Sequence, residues 1–327
     1  MQVNKVNEIS GLGMNVYLNH YDKKSIKKLL NTLILLKIRW IRLEICSKKY
    51  NEAVSLDALS DFVKLCKFNK IVVVGLFSDF IPLTSMSVFF SEKLLKPIHT
   101  DVDRYIIFVR EIVKKLSSEV CIWEIWNEQN TRRFWGKAPS SIEYTEFVKK
   151  IATEIREIKK DAKIMFGGIF GNDVDPVYRF IPNSIIANPK YIHESIKHKV
   201  GNYVDYYAYH PYTRECYFSL STSKEIAKSI IDSIKKTQQY YTGLPLIVSE
   251  IGVSPVLNLR LNSKEIAKIY HEVINFCLGI NLPVCIYALS DQSSVHYGIL
   301  NPDRNFGFLD YHLNVKQLLK EFKNLVI

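Results

Sequence analysis

CIWEIWNEQN, residues 121–130, is the stretch whose reading decides the fold. It begins as a near-continuous apolar and aromatic run and closes on two polar groups, Asn127 and Glu128, as a strand buried on both faces of a parallel sheet does when its last residues reach the sheet's end. Seven runs of the same kind flank it. GLGMNVY (11–17), WIRLEI (40–45) and IVVVGLF (71–77) precede it, and KIMFGGIF (163–170), VDYYAYHPY (204–212), PLIVSEIG (245–252) and PVCIYALSD (283–291) follow. Amphipathic segments separate the runs, with apolar residues at helical spacing such as Ile26, Leu29, Leu30, Leu33 and Ile34, or Phe147, Ile151, Ile155 and Ile158. Similar segments span 56–68, 102–116, 192–200, 226–240, 266–278 and 315–325. Eight strands, each followed by a helix, predict a closed parallel (β/α)8 barrel of the TIM type, with residues 1–327 forming a single domain. The rival, a doubly wound open sheet, lacks its usual mark, because no GxGxxG or P-loop follows any strand.

The 327 residues, 47% hydrophobic and 24% charged, suffice for one such barrel with elaborated loops. The longer loops, at 78–100, 129–139, 171–190 and 213–222, fall at the strands' C-terminal ends, where barrel active sites are built. Six scattered cysteines without CxxC or zinc-like His spacing read as buried thiols in a reducing compartment. The first residues lack the basic start and apolar core of a secretory signal, so a cytoplasmic protein is expected if Met1 is the native start, and a secreted or periplasmic one if a leader was trimmed. No window approaches the length of a membrane span. The net charge of +11 would suit nucleic acid or an anionic polysaccharide. The lysines, however, are spread over many helix faces (Lys23, Lys24, Lys27 and Lys28; Lys149 and Lys150; Lys159 and Lys160; Lys235 and Lys236), as solvated faces are, and no nucleic-acid partner is expected.

Glu128 ends the fourth run and Glu250 the seventh, which places both carboxylates at the same mouth of the barrel. Two carboxylates facing each other there are what glycosidic cleavage needs: one protonates the leaving oxygen, and the other attacks the sugar or activates water. Their pKa values must be driven apart, with Glu128 kept protonated near neutral pH by its charged neighbour and apolar surroundings. Arg42, in the middle of WIRLEI, is a cation inside the barrel and needs a carboxylate partner, Glu44 or another.

WEIWNEQN, with SEIG some 120 residues later, resembles the clan A glycoside hydrolases, and WEIWNEQNTRRFW followed by PSSIEYTEFVKKI is similar to family 39 and to hydrolases of biofilm exopolysaccharides. The resemblance spans essentially the whole barrel and implies a retaining β-glycosidase with Glu128 as acid/base and Glu250 as nucleophile. It further implies that Asn127 bonds the sugar 2-hydroxyl, that Arg42 supports the nucleophile, and that His210 and Tyr212 form a His-x-Tyr element whose tyrosine holds the nucleophile. No metal or organic cofactor is implied.

Flat rings near a carboxylate pair can stack on sugars, and Trp126, Trp135, Tyr207, Tyr209, Tyr212, Tyr287 and Tyr297 are candidates. Trp135 and Tyr287 are expected to line subsites, while Trp40 and Trp123 pack. Two positions depart from the family pattern: Gln129 replaces a proline, which should alter only loop geometry, and Tyr287 replaces the strand-8 tryptophan. Long loops over an aromatic mouth favour endo-cleavage of an oligo- or polysaccharide, and the basic charge favours an anionic bacterial surface glycan. A transglycosylase on the same site and a non-catalytic carbohydrate-binding barrel are the alternatives.

Overall fold

The computed structural model describes residues 9–18, 22–46, 56–78, 101–135, 138–171, 191–216, 220–241, 243–253, 260–291 and 305–326. Within them, eight parallel strands close into a barrel in the order β1 to β8, each paired with its sequence neighbours and β1 with β8. The strands are β1 (Leu12–Val16), β2 (Trp40–Cys46), β3 (Val72–Ser78), β4 (Ile122–Asn127), β5 (Lys163–Phe170), β6 (Tyr207–His210), β7 (Leu246–Ile251) and β8 (Val284–Ile286). All eight expected runs are therefore strands.

The helices are α1 (Lys23–Leu35), α2 (Leu56–Phe68), α3 (Val102–Leu116), the single turn α4 (Arg132–Trp135), α5 (Ser141–Ile158), α6 (Tyr191–Lys197), α7 (Ser223–Gln238), α8 (Ser263–Gly279) and α9 (Gln317–Val326). Several start on a side-chain cap written in the sequence. Ser140 accepts from the Glu143 amide at the start of α5, and Thr222 forms a reciprocal capping box with Glu225 at the start of α7. Their apolar stripes pack on the outer face of the strands, as Ile151 and Ile155 of α5 do, both fully buried.

Inside the barrel, Trp40, Val74, Ile122, Met165, Ala208, Ile247 and Cys285 form an apolar layer at the strands' N-terminal ends, with Ile9 packed against it. Two residues further along β2, β4 and β6, the same inward positions hold Arg42, Glu124 and His210. Trp40 and Trp123 are fully buried packing residues, as expected.

The eighth strand is shorter than the run at 283–291 suggests. Its register against β7 shifts between Val248 and Ile251, and beyond Ile286 the chain keeps single bonds to Ile251 O and Asn15 O (from Tyr287 and Leu289 N–H, 2.7 and 2.9 Å) before joining a later segment, with Asp291 N–H donating to Leu309 O at 2.9 Å. The expected mouth loops at 79–100 and 172–190, and Tyr297, lie outside the described residues.

Candidate active site

The end of β4 is built to present Glu128. Trp126 has φ +72° and Glu128 φ +47°, a left-handed conformation that costs an L-residue about 1–2 kcal/mol. The surroundings over-determine it. Glu128 N–H donates to Gly168 O at 2.9 Å, and the Glu128 carbonyl accepts from Thr131 N–H and from its hydroxyl, both at 2.8 Å. Gln129 Nε2 donates to Gly167 O at 2.8 Å, and Asn130 exchanges two bonds with the Phe170 backbone at 2.8 and 3.0 Å. Gln129 thus clamps the loop to β5. Gly167 permits this approach, since a Cβ there would meet Gln129 Oε1 at 2.5 Å.

Arg42, 1% exposed, organises the floor of the site. Its Nε donates to Glu124 Oε2 at 2.6 Å and its Nη2 to Glu124 Oε1 at 2.9 Å, a bidentate pair. Nη2 also donates to Asn127 Oδ1 (2.7 Å), and Nη1 donates to Asn15 Oδ1 (3.0 Å) and Glu250 Oε2 (3.1 Å). All five guanidinium N–H groups are thereby matched to acceptors. Burial opposes the charge, but Glu124, reinforced by Glu250, outweighs it and holds the Arg42 pKa above its ordinary value. The expected cation beside Glu250 is present. Its principal partner is Glu124, not Glu44, which accepts from the Ser78 hydroxyl at 2.5 Å.

Glu250, 6% exposed, receives a second hydrogen bond from Tyr212, whose hydroxyl donates to Oε1 at 2.7 Å. Asn127 has its Oδ1 committed to Arg42, which orients Nδ2 as a donor with no protein acceptor among the described residues. His210, fully buried, places Nδ1 3.0 Å from Glu128 Oε1 and 3.8 Å from Glu250 Oε2. Burial, with Arg42 adding to it, holds the imidazole pKa well below its ordinary value, so the ring is neutral. Nδ1 and Glu128 Oε1 share a hydrogen bond whose direction follows the tautomer, and Nε2 has no hydrogen-bond partner among the described residues. Gly168 makes room for the ring, since a Cβ there would lie 2.0 Å from Nε2.

An oxygen of Glu128, one of Glu250 and a His210 nitrogen all lie within 4.8 Å of one another. Three such donors could chelate a small cation, although the guanidinium 3.1 Å from Glu250 opposes a second positive charge there.

The aromatic expectations divide. Tyr287, at the end of β8, packs edge-on against Tyr17 and Phe306 with centroids 5.8 and 5.1 Å away, and its hydroxyl hydrogen-bonds that of Tyr17. Tyr17 directly follows β1 at the mouth end of the barrel, and burial raises its pKa, with Tyr287, Glu44 and Glu250 raising it further. Trp135 is a correction. It is 2% exposed, makes T-shaped contacts with Trp126, Tyr144 and Phe147 and directs Nε1 to Glu143 at 3.4 Å, so the ring is packed in the core and does not stand on the mouth.

Sequence reasoning missed Glu124, Asn15, Tyr17 and the Glu44–Ser78 pair as site residues. The available signal was a polar residue at an inward position of an otherwise apolar strand: Asn15, Arg42 and Glu124 are such residues on β1, β2 and β4.

No protein-family model and no curated protein matches the chain by sequence. Solved structures do match in fold. A monomeric β-xylosidase from Caulobacter crescentus CB15 superposes with TM-score 0.63 at 14% identity, over 98% of this chain and 68% of that one. A GH5_18 protein from Streptomyces cattleya in complex with GlcNAc gives TM-score 0.68 at 12% identity, over 98% and 80%. A β-D-glucuronidase from Dictyoglomus thermophilum gives 0.60 at 14%, over 97% and 50%. These neighbours include the family 39 and family 5 glycoside hydrolases of clan A, the clan that the strand-4 and strand-7 motifs resemble, and the fold of this chain is their (β/α)8 barrel.

Proposed function

We propose that the chain is a retaining β-glycoside hydrolase in which Glu250 attacks and Glu128 serves as acid and then as base. The observation that carries this reading is that an oxygen of Glu128 and one of Glu250 lie within 4.8 Å of each other, with Glu250 held by Arg42 and Tyr212, and Glu128 by His210. Retaining enzymes keep their carboxyl groups about 5–5.5 Å apart, and inverting ones about 6.5–9.5 Å, to fit a water.

In the first step the Glu250 carboxylate forms a bond to C1 as the glycosidic C1–O bond breaks, and the departing oxygen takes the Glu128 proton. In the second, Glu128 removes a proton from water, whose oxygen bonds C1 and releases Glu250. Arg42 and Tyr212 hold Glu250 oriented between attacks. The Asn127 Nδ2 donor faces the 2-hydroxyl, where a bond strengthens as positive charge develops on the sugar.

The substrate we infer is an oligo- or polysaccharide cleaved internally. An anionic sugar at the point of cleavage is disfavoured: Arg42, the cation of the described site, has every donor engaged, while Glu44, Glu124 and Glu250 supply carboxylates.

The test is turnover of aryl β-glycosides and polysaccharides by wild type, Glu128→Gln and Glu250→Gln, with mass spectrometry after a 2-fluoro glycoside. Losses of about 10²–10⁴-fold in the Glu128 variant are expected, with at least as large a loss at Glu250, together with a covalent sugar on Glu250. Glycan binding with no turnover and no adduct would instead identify a carbohydrate-binding barrel. Sugar-to-sugar transfer products would identify a transglycosylase, and release of monosaccharides alone would end the endo reading.

A further inference from the structure

The face opposite the mouth carries a pattern that the active site does not use. Because the strands are parallel, their N-terminal ends, the helix C-terminal ends and the helix-to-strand turns share that face. On the neighbouring units α1 and α2, large apolar side chains stand in solvent there: Ile34, Leu35, Leu65 and Phe68, the last 84% exposed. Leu278 and Ile280, at the end of α8, are exposed on the same face. Isolated exposed apolar residues are ordinary, but a set gathered at one end of adjacent helices calls for a partner.

Bases interleave with these residues. Lys37, Arg39, Lys67 and Lys70 are exposed in the turns into β2 and β3 or in the last turn of α2. Lys37 and Lys70 have φ +50° and +59°, the left-handed conformation in which glycine is the relaxed residue at a helix end. Two successive turns thus hold a lysine where the backbone favours no side chain at all.

We propose that this face docks peripherally on an anionic phospholipid bilayer. Lysines and an arginine lie against headgroup phosphates, while Phe68, Leu35 and their neighbours enter the boundary between headgroups and acyl chains. Charge excludes a second copy as the occupant, because a symmetric pairing would set the same bases against each other. The apolar tips exclude a purely polyanionic partner, since a phosphate backbone or acidic glycan has nothing to bury Phe68 against. No helix among the described residues is long and apolar enough to cross a membrane, so the contact is superficial. Docked in this way, the chain turns the Glu128–Glu250 mouth away from the lipid.

The test is co-sedimentation of the full chain with phosphatidylcholine vesicles with and without about one-third phosphatidylglycerol. Binding to the anionic vesicles is expected, at least about tenfold tighter than to phosphatidylcholine, and weakened at least as much at about 0.5 M salt. Leu35→Ser/Phe68→Ser and Lys37→Glu/Lys70→Glu should each lose about tenfold or more. Lys23→Glu/Lys24→Glu makes the same charge change at the mouth-side end of α1 and should lose less than about twofold. Thermal melting of each variant checks the fold, and the apolar and charge pairs probe the surface independently. Absence of binding to anionic vesicles would overturn the proposal. An equal loss from the Lys23/Lys24 pair would also overturn it, by making the attraction diffuse. Full competition by DNA with the Phe68 pair still binding would overturn it in favour of a polyanion site.

Discussion

Two layers of the barrel interior lie two residues apart on the same strands and are held together in opposite ways. Trp40, Ile122 and Ala208 belong to an apolar layer, and the next inward residues, Arg42, Glu124 and His210, to a polar one. The lower layer depends on shape: its groups need no particular partner, only filled volume. The upper layer depends on pairing. Arg42 is tolerable there because Glu124, Asn15, Asn127 and Glu250 accept all of its N–H groups at 2.6–3.1 Å. The barrel geometry is common to both layers, and residue type alone converts a core into a site.

Removing one member of the paired layer should do the most damage. Arg42→Met leaves Glu124 and Glu250 as uncompensated buried charges, so a loss of about 3–5 kcal/mol in urea denaturation is expected, together with loss of turnover. Arg42→Met/Glu124→Leu should recover part of the stability and none of the activity. Recovery of both would break the distinction between the layers.

Trp40→Ala in the apolar layer should cost about 3–5 kcal/mol through the cavity it leaves. Activity per folded molecule should be nearly unchanged, because no site residue loses a partner. A collapse of turnover in this variant, with the fold intact, would show that the layers are coupled.

His210 sharpens the comparison through pH. Its folded pKa lies below the unfolded value, so below about pH 6.5 the unfolded chain binds more protons. The His210 contribution to stability is therefore complete above that pH and declines as the pH falls toward the folded pKa, by at most about 1.4 kcal/mol per pH unit. Denaturation curves for wild type and His210→Asn should converge as the solution is acidified through this window. Parallel curves would mean that the imidazole is charged in the folded protein.

The smallest effects separate the two aromatic positions. Tyr287→Phe removes the hydroxyl bonded to Tyr17 and should change kcat/KM by about tenfold or less, the worth of one hydrogen bond. Trp135→Phe should leave KM unaltered and cost about 1–2 kcal/mol of stability. A raised KM for the Trp135 variant would restore it as a subsite residue.

Trp135 and Glu124 show why legibility was uneven. Trp135 follows the Glu128 motif closely, and nearness in sequence suggested nearness to the sugar, but one turn of helix after the strand carries it into the aromatic layer beneath α5. Glu124 sits inside the motif itself. Its role depends on a strand 82 residues away, and nothing local identifies which carboxylate an arginine will choose. The bases Lys37 and Lys70 likewise belong to different units and share a face only once the barrel closes.

By itself the sequence determined the eight strand–helix units, the strand ends that carry Asn127, Glu128, His210, Tyr212 and Glu250, and the cation of β2. These follow from local periodicity and from residues whose cost of burial announces them. Only the tertiary structure decided the approach of an oxygen of each carboxylate to within 4.8 Å, the choice of Glu124 as partner of Arg42, the pairing of His210 with Glu128 and the burial of Trp135. Each of these is a contact between residues on different strands or helices, set by barrel closure and side-chain packing across it, and no pattern along a single strand encodes it.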